Sequence, residues 1–252
     1  MITIKSAREI ETMAQAGRIV GETLRLMREM VRPGLTTEDL DAAAEAFIRS
    51  HDGATPSFKG LYGFPKTLCI SVDEEIVHGI PSSRRVLSEG SIVSVDCGVY
   101  LGGLHADAAT TIPVGRVSDA AERLMRVTAE SLTAGVAAAR RGHHVGDIGH
   151  AVQKVAEGAG YGVVRELVGH GIGSRFHEDP QVPNYGMPRR GPQLRSGMTI
   201  AIEPMITEGS PTTRTLDDKW TVVTADGKLS AHFEHTVAIT DDGPRVLTDP
   251  GR

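Results

Sequence analysis

Four acidic side chains lie in apolar stretches of the sequence that have the composition of buried strands. They are Asp96, Asp107, Glu203 and Glu234. A buried carboxylate without a partner is costly, so such groups are normally paired with a metal ion or a basic side chain. One buried acid could be matched by a single arginine. Four of them predict a shared positively charged partner, and a bound metal ion is such a partner.

The first two acids are predicted to be neighbours on one face of a β-hairpin. Gly102 and Gly103 suit a two-residue turn, which places Gly98 opposite Asp107. Because residues two apart in a strand share a face, Asp96 lies on the same face as Asp107. Diagonal neighbours of this kind are roughly 7 Å apart at the backbone, so both carboxylates can reach one metal site. An exposed acidic hairpin end is the alternative, which the apolar flanks of Asp96 disfavour.

A glycine-rich segment at 168–178 adds two histidines to the candidate site. Three glycines around His170 let the backbone approach a crowded centre closely. His170 is therefore a candidate imidazole ligand, and His177 is either a second ligand or a group that handles protons. His78 stands at a predicted strand end, where it faces either the site or solvent.

Residues 232–238 predict one final strand, in which His232 and Glu234 share a face and His235 points away. His235 is therefore the weakest candidate, and we expect it to be packed or hydrogen-bonded. Glu203 occupies a strand end lining a cavity, because the proline that follows it ends ladder pairing.

The charges of the four carboxylates cancel those of two divalent ions, so the acid count predicts a two-metal site. Oxygen ligands with one added imidazole suit Mn, Fe(II), Co or Zn rather than a thiolate-bound metal. Two such ions about 3.5–4 Å apart generate a hydroxide nucleophile and bind the substrate oxygen. This ligand chemistry is that of amide hydrolysis.

The elements that must position these groups follow a repeated plan of two helices and then strands. A capping box opens the first helix, and Thr37 opens a second one that is predicted to end near Gly53. A shift of 108 residues superposes both on helical segments at 120–140 and 145–157. Strands are predicted at 67–72, 91–100 and 105–113. The repeat predicts an α+β fold of two pseudo-symmetric halves with a site between them.

The composition is that of an ordinary globular protein of 252 residues, with 40% hydrophobic and 23% charged residues. The net charge of −5 does not predict nucleic-acid binding by the chain itself. No apolar run approaches the ~18 residues of a membrane span, and the N-terminal segment is too polar for a signal peptide. Cys69 and Cys97 lie in apolar runs, which predicts free thiols and a cytoplasmic location. We expect one catalytic domain over residues 1–252.

The ordered motifs around these residues resemble those of type I methionine aminopeptidases, which are pita-bread metallopeptidases. The order of the candidate ligands, Asp, Asp, His, Glu, Glu, is similar to the order of the metal ligands in that family. The resemblance covers essentially the whole chain. The motifs are Gly63-Phe-Pro-Lys66, Ser71–Pro81, Val95-Asp-Cys-Gly98, Gly169-His-Gly-Ile-Gly173, Phe176-His177-Glu178, Thr199–Pro204 and Ser230–Thr236. Each motif alone is weak, and the ordered set is specific.

The resemblance implies a pita-bread fold, with two halves of antiparallel sheet covered by helices. It implies that two divalent ions (Co, Mn, Fe or Zn) are bound by Asp96, Asp107, His170, Glu203 and Glu234. Glu203 would also shuttle a proton, while His78 and His177 would be catalytic without binding metal. A metal-bridging hydroxide would then remove the initiator methionine from nascent proteins whose second residue is small. The methionine side chain would be bound by Leu61, Phe64, Cys69, Phe176 and Trp220. We expect a monomer, with the ribosome as a partner to test.

Four positions depart from the commonest pattern of that family without removing a ligand. They are Asp73, Ser94, Ala106 and His232, where Asn, Asn, Gly and Gln are frequent. His232 shares the predicted face of Glu234, so it could tune or contact the site.

Three other functions are compatible with parts of the pattern. Prolidases and aminopeptidases P share the ligand set, but they normally carry an N-terminal domain for which the segment before Asp96 leaves no room. A mononuclear iron oxygenase could use the pair formed by His105 and Asp107, but three buried acids would then have no role. An inactive binding module of the same fold is expected to lack ligands, whereas all five are present.

Overall fold

The computed structural model describes residues 1–249, in which two pairs of helices each precede a group of strands. The helices are α1 (Ala7–Met30), α2 (Thr37–Arg49), α3 (Asp119–Ala138) and α4 (Val145–Gly158). The second helices of the two pairs begin 108 positions apart, as the predicted repeat requires. The predicted end of α2 near Gly53 is wrong: the helix ends at Arg49, and Gly53 adopts a left-handed backbone conformation with φ 74°.

Short strands make up most of the rest of the chain. Those of the first half are β1 (Thr55–Pro56), β2 (Leu68–Val72), β3 (Glu75–Val77), β4 (Ile92–Leu101) and β5 (Leu104–Pro113), with a 3-10 turn at Leu61–Gly63. Those of the second half are β6 (Gly162–Val163), β7 (Gly169–Gly171), β8 (Glu178–Val182), β9 (Thr199–Ile202), β10 (Met205–Thr207), β11 (Thr213–Thr215), β12 (Val222–Thr224), β13 (Ser230–His232), β14 (His235–Thr240) and β15 (Gly243–Val246).

Both helices of the first pair begin with a capping box. The Ser6 hydroxyl accepts a hydrogen bond from the Glu9 N–H at 3.3 Å, and the Glu9 carboxylate accepts one from the Ser6 N–H at 2.8 Å. Thr36 and Asp39 repeat this exchange at the start of α2. These bonds satisfy N–H groups that the helical ladder leaves without partners. α1 then packs its apolar face against β4 and β5.

The hairpin formed by β4 and β5 has the predicted register, with Gly98 opposite Asp107. Gly102 and Gly103 both have positive φ, at 58° and 87°, as a type I′ turn requires. Asp96 therefore lies two residues from the partner of Asp107 and on the same face of the hairpin. The hairpin prediction is confirmed, and with it the proximity of the two aspartates.

The second half contains a sheet of order β15-β14-β9-β7-β8. The single strand that was predicted over residues 232–238 is wrong, because two strands share this segment. β13 ends at His232 and pairs with β10, whereas β14 begins at His235 and pairs with β9. The chain changes sheets between them, and at this point the Glu234 N–H donates to the carbonyl of Ala109 in β5, at 2.9 Å. A further strand, β15, follows β14.

Glu203 lies at a matching break, between β9 and β10. Pro204 follows it and cannot donate to a ladder, so the strand ends there as predicted. β9 and β14 are neighbours in one sheet, and β9 ends where β14 begins, at the pair formed by Ile202 and His235. Both glutamates are presented at the junction of two sheets.

Close packing of the helices on the sheets fixes this arrangement. At Gly135 of α3, an added Cβ would lie 2.8 Å from a side-chain atom of Val152 and 3.2 Å from one of Ile202, so a larger residue there would have to displace the Val152 side chain. In the first half, α1 and α2 share a buried apolar cluster with β2, β4 and β5. Within residues 1–249, no helix is both long and apolar enough to cross a membrane.

Candidate active site

The residues that were predicted to form a site surround one cavity of about 210 Å³. The predicted metal ligands in its lining are Asp96, Asp107, His170, Glu203 and Glu234. The predicted catalytic and substrate-binding residues in its lining are His78, His177, Leu61, Phe64, Cys69, Phe176 and Trp220. The structure therefore brings every predicted site residue to the same cavity, from both halves of the fold.

The backbone around the acidic residues is held by hydrogen bonds that leave carboxylate oxygens facing the cavity. The Thr236 hydroxyl donates to the Asp107 carbonyl at 2.8 Å and accepts from the Asp107 N–H at 2.9 Å. Asn184 donates to the Glu203 carbonyl at 3.0 Å. The backbone of Glu234 is tied to β5 as described above. Each of these acids is thus positioned through its main chain.

Several polar atoms at the cavity are buried and have no hydrogen-bond partner among the described residues. They are Asp96 Oδ1, Asp107 Oδ1, Glu234 Oε1 and His232 Nε2. Ligand atoms of Asp107, His170 and Glu234 all lie within 4.8 Å of one another. Oxygen donors with an imidazole nitrogen suit Mn, Fe(II), Co or Zn. The donor set therefore fits divalent metal, which would supply the missing partner of the buried oxygens.

The pKa values of the four carboxyl groups are raised. Burial raises the pKa of Asp96 to about 7. Burial also raises the pKa of Asp107, Glu203 and Glu234 well above the ordinary range, and the charges of the neighbouring carboxylates add to the rise. A cation among the four groups would favour their charged forms and so oppose both causes.

The histidines around the cavity are held neutral by burial. Burial lowers the pKa of His170 and of His78 to about 4, and the neighbouring His177 contributes in both cases. Burial, followed by the nearby His78, lowers the pKa of His232 to about 3. His177 is more exposed, and the burial of part of its ring lowers its pKa as well. A neutral imidazole can either bind a metal ion or donate an N–H hydrogen bond.

The carboxylate of Glu203 lies between two of these imidazoles. Its Oε1 is 3.7 Å from His170 Nε2, and its Oε2 is 3.8 Å from His232 Nε2. Both separations are too long for hydrogen bonds, so both oxygens remain available to a ligand. His232 contacts the site beside Glu203, whereas His235 hydrogen-bonds Thr248 at 2.9 Å and is absent from the cavity lining, as expected.

An apolar wall closes the cavity next to the carboxylates. The rings of Phe64 and Trp220 meet edge to face at 5.1 Å, and Phe58 and Phe176 do so at 5.3 Å. Burial and the nearby carboxylates raise the pKa of Cys69, so its thiol stays protonated. An uncharged wall of aromatic rings and sulfur suits a thioether side chain, because sulfur contacts aromatic rings favourably.

Several residues of the cavity were not predicted from the sequence, and Tyr62 is the most informative of them. Its ring stacks on that of His177, with 5.7 Å between centroids, and its hydroxyl lies 3.3 Å from His177 Nδ1. Tyr62 has φ 51° in a short turn between Gly60 and Gly63, which are the sequence signal for that turn. The other lining residues that were not predicted are Phe58, Val77, Leu167, Val168 and Met205.

Comparison with known proteins identifies the family. The family model described as metallopeptidase family M24 matches residues 11–241, which include all five predicted ligands. The chain belongs to metallopeptidase family M24. Membership of this metallopeptidase family agrees with the order of the acids and histidines in the sequence.

Full-length relatives narrow the position within family M24. A methionine aminopeptidase of Clostridium perfringens is 56% identical over 248 residues, covering 98% of this chain and 99% of the relative. Methionine aminopeptidase 1 of Bacillus subtilis is 51% identical, with the same coverage of both chains. The resemblance to type I methionine aminopeptidases that the motifs indicated is confirmed.

Solved structures of M24 proteins share the fold. The crystal structure of methionine aminopeptidase from Thermotoga maritima matches with a TM-score of 0.97 at 44% identity, covering 98% of this chain and 99% of that one. Prolidase from Pyrococcus furiosus matches with a TM-score of 0.80 at 23% identity, and only 66% of its chain is covered. The second similarity concerns the fold alone. The predicted α+β pita-bread fold is confirmed.

Proposed function

We propose that this chain is a metal-dependent aminopeptidase that removes methionine from the N-terminus of polypeptides whose second residue is small. The observation that carries the proposal is the meeting, in one cavity, of unpartnered buried carboxylate oxygens and an apolar, polarizable wall. A metal site and a binding site for an unbranched thioether are thus adjacent. The similarity to relatives named methionine aminopeptidase supports the same activity.

We propose that the five residues predicted as ligands bind the metal. We propose two ions, because the charges of four carboxylates balance those of two divalent cations. Those ligands are Asp96, Asp107, His170, Glu203 and Glu234. When bound, divalent cations at this site would lower the pKa of water and polarise the scissile carbonyl. Mn, Fe, Co and Zn are the candidates, since all accept carboxylate and imidazole donors.

Glu203 moves the proton in this proposal. Its carboxylate faces the cavity with neither oxygen in hydrogen-bond range of the flanking His170 and His232. It can therefore accept a proton from the attacking water and transfer it to the leaving amine. The hydrogen bond from Asn184 to its carbonyl keeps the backbone of Glu203 in place during this transfer.

His78 and His177 stabilise the charge that develops on the scissile carbonyl oxygen. Both line the cavity, and burial lowers the pKa of each, so both carry a neutral ring with one N–H to donate. Fixed N–H donors aimed at a developing oxyanion are usually among the largest contributions to catalysis. The Tyr62 hydroxyl lies 3.3 Å from Nδ1 of His177, and if it donates there, the ring proton is on Nε2, the nitrogen that we propose donates to the substrate.

The methionine side chain binds against Leu61, Phe64, Cys69, Phe176 and Trp220. The edge-to-face pair of Phe64 and Trp220 gives this wall a defined shape, and the protonated thiol of Cys69 keeps it uncharged. We further propose that the chain acts as one catalytic domain and as a monomer. Its substrates are nascent polypeptides in the cytoplasm, where the initiator methionine is still present, and the ribosome is the partner to test.

A peptide panel tests the proposal. The chain loaded with Mn²⁺ is incubated with Met-Ala-Ser, with Met-Leu-Ser and with an Ala-Pro peptide, and free amino acids are measured. We expect methionine to be released from Met-Ala-Ser much faster than from Met-Leu-Ser, with the Ala-Pro peptide left intact. Cleavage of the Ala-Pro peptide, with Met-Ala-Ser left intact, would show that the chain has the activity of a prolidase instead. No cleavage of any peptide would refute a peptidase function.

A further inference from the structure

A buried ion pair joins the N-terminal segment to the segment that carries His177. Lys5 Nζ lies 2.6 Å from Glu178 Oε2, and the two side chains are only 5% and 1% exposed. The Thr3 hydroxyl contacts the same carboxylate oxygen and accepts a hydrogen bond from Lys5 at 2.5 Å. The Lys5 backbone is itself anchored, because its N–H donates to the carbonyl of Gly197 at 2.7 Å.

The other oxygen of Glu178 organises the loop that leads to it. Glu178 Oε1 accepts a hydrogen bond from the Arg175 N–H at 3.2 Å and one from the Ser174 hydroxyl at 3.5 Å. An added Cβ at Gly173 would lie 2.4 Å from the Lys5 side chain and 2.7 Å from Glu178 Oε1. A glycine at 173 therefore makes the room that the ion pair occupies.

The residues between these contacts are the ones that the catalytic cavity uses. Phe176 and His177 both line the cavity, and Glu178 directly follows them at the start of β8. His177 precedes the strand, and its ring contacts those of Tyr62, His170 and Phe176. Its position therefore depends on how the loop is closed at Gly173 and Glu178.

We propose that Lys5 is a positioning residue, which holds His177 and Phe176 in place by closing the 173–178 loop through Glu178. The assignment rests on the proposed aminopeptidase function, in which His177 contacts the reacting carbonyl. A lysine and a glutamate this deeply buried require each other, because each neutralises a charge that water cannot reach. The first residues of the chain are therefore part of the catalytic framework, although Lys5 is absent from the cavity lining.

The expected effect of breaking this connection is on turnover. A misplacement of a catalytic group by about 1 Å can cost about 10²-fold in rate, so we expect kcat to fall by about 10-fold or more when the loop is released. Mn²⁺ affinity should stay within about threefold, since none of the five proposed ligands lies within the 173–178 loop. The KM for Met-Ala-Ser should rise as well, because Phe176 lines the cavity and belongs to the proposed methionine-binding wall. The rise should be smaller than the loss of kcat, since Phe64, Cys69 and Trp220 lie on other elements.

The experiment compares Lys5→Met, Glu178→Gln and the double variant Lys5→Met/Glu178→Gln. Each single variant leaves one buried charge unmatched and is expected to be destabilised. The double variant removes both charges, while the amide oxygen of the glutamine introduced at position 178 can still accept from the Arg175 N–H, so it is expected to fold. If either single variant fails to fold, the double variant still tests the proposal.

Three readouts are taken on the Mn²⁺-loaded proteins: kcat and KM on Met-Ala-Ser, Mn²⁺ affinity by calorimetry, and amide hydrogen exchange of residues 173–178. The proposal expects the double variant to have low kcat, unchanged Mn²⁺ affinity and faster exchange of the loop. Wild-type kcat in the double variant would overturn it, and so would a low kcat with unchanged exchange. Arg245→Met, which breaks the exposed contact of Arg245 with Glu11, is the control and should keep wild-type kcat.

Failure of this inference is distinguishable from failure of the proposed function. A wild-type protein that releases no methionine from Met-Ala-Ser would refute the aminopeptidase activity. The exchange of residues 173–178 in the double variant would still show whether the ion pair holds the loop.

Discussion

His177 presents a neutral imidazole to the cavity without being one of the proposed metal ligands. Replacing it by alanine should therefore separate catalysis from metal binding. We expect His177→Ala to lower kcat on Met-Ala-Ser by about 10²–10³-fold, the usual cost of removing one oxyanion donor. Mn²⁺ affinity should remain close to that of the wild type. Steady-state kinetics and calorimetry on the same preparation measure both quantities.

The matched control is His150→Ala, at an exposed position on α4. It should leave kcat and Mn²⁺ affinity unchanged. Unchanged turnover in His177→Ala would remove the role assigned to this side chain. Loss of Mn²⁺ binding in His177→Ala would instead make His177 a ligand.

Single residues were predictable where their chemistry conflicts with their surroundings. Asp107 and Glu234 could be found because an acid in an apolar strand is conspicuous in the sequence itself. Tyr62 could not be found, because an exposed tyrosine in a short turn has no conflicting neighbours. Lys5 was not found either, since its partner Glu178 is distant in sequence and ordinary surface lysines have the same local context.

At the scale of elements, Gly98 of β4 lies where the hairpin meets the wall of the cavity. A Cβ at this position would lie 2.9 Å from the side chains of Phe58 and Ser57 and 3.1 Å from that of Phe176. We expect Gly98→Ala to lower the free energy of unfolding by about 1–3 kcal/mol through overpacking. Because Phe176 must move, KM for Met-Ala-Ser should rise. Denaturant unfolding and kinetics test the two effects.

Gly158→Ala is the corresponding control, since an added Cβ at the end of α4 would meet no atom within 4 Å beyond its chain neighbours and the backbone of its own helix. Alanine is favoured over glycine in a helix by about 0.5–1 kcal/mol, so this variant should be as stable as the wild type or slightly more stable. Equal stability of the Gly98 and Gly158 variants would show that the residues around Gly98 of β4 can accommodate a methyl group without loss of stability.

The helices and the hairpin were predictable because their signals are local. The capping box at Ser6 marks where α1 begins, and Gly102-Gly103 sets the register that makes Asp96 and Asp107 neighbours. The break at Glu234 was not predictable, because the alternation of residues 232–238 continues through it. The chain leaves its sheet there for a long-range hydrogen bond to β5, which no local pattern encodes.

At the scale of the whole molecule, acid stability should depend on the ion pair that anchors the N-terminal segment. Burial raises the pKa of Glu178, but hydrogen bonds from Lys5, Thr3 and the Arg175 backbone outweigh it and hold the pKa below its ordinary value of 4.5. A carboxyl group with a lowered pKa stabilises the fold above its unfolded pKa. That stabilisation is lost as the pH falls through the folded pKa.

The wild type should therefore lose stability as the pH falls below 4.5, the ordinary value for this group, and Glu178→Gln should lose less over the same range. Denaturant unfolding at a series of pH values measures the slopes. Parallel pH dependence in the two proteins would contradict the contribution assigned to Glu178.

If the buried acids hold divalent metal that the reaction requires, removal of the metal must abolish the reaction. The most direct test is to purify the protein anaerobically, determine its metal content, and then follow methionine release from Met-Ala-Ser after chelation and stepwise addition of Mn²⁺, Fe²⁺, Co²⁺ or Zn²⁺. We predict that chelation abolishes release and that activity returns as ions fill a site of two per chain. Full activity in the chelated protein, or no binding of any of the four ions, would show that these acids do not hold a metal that the reaction requires.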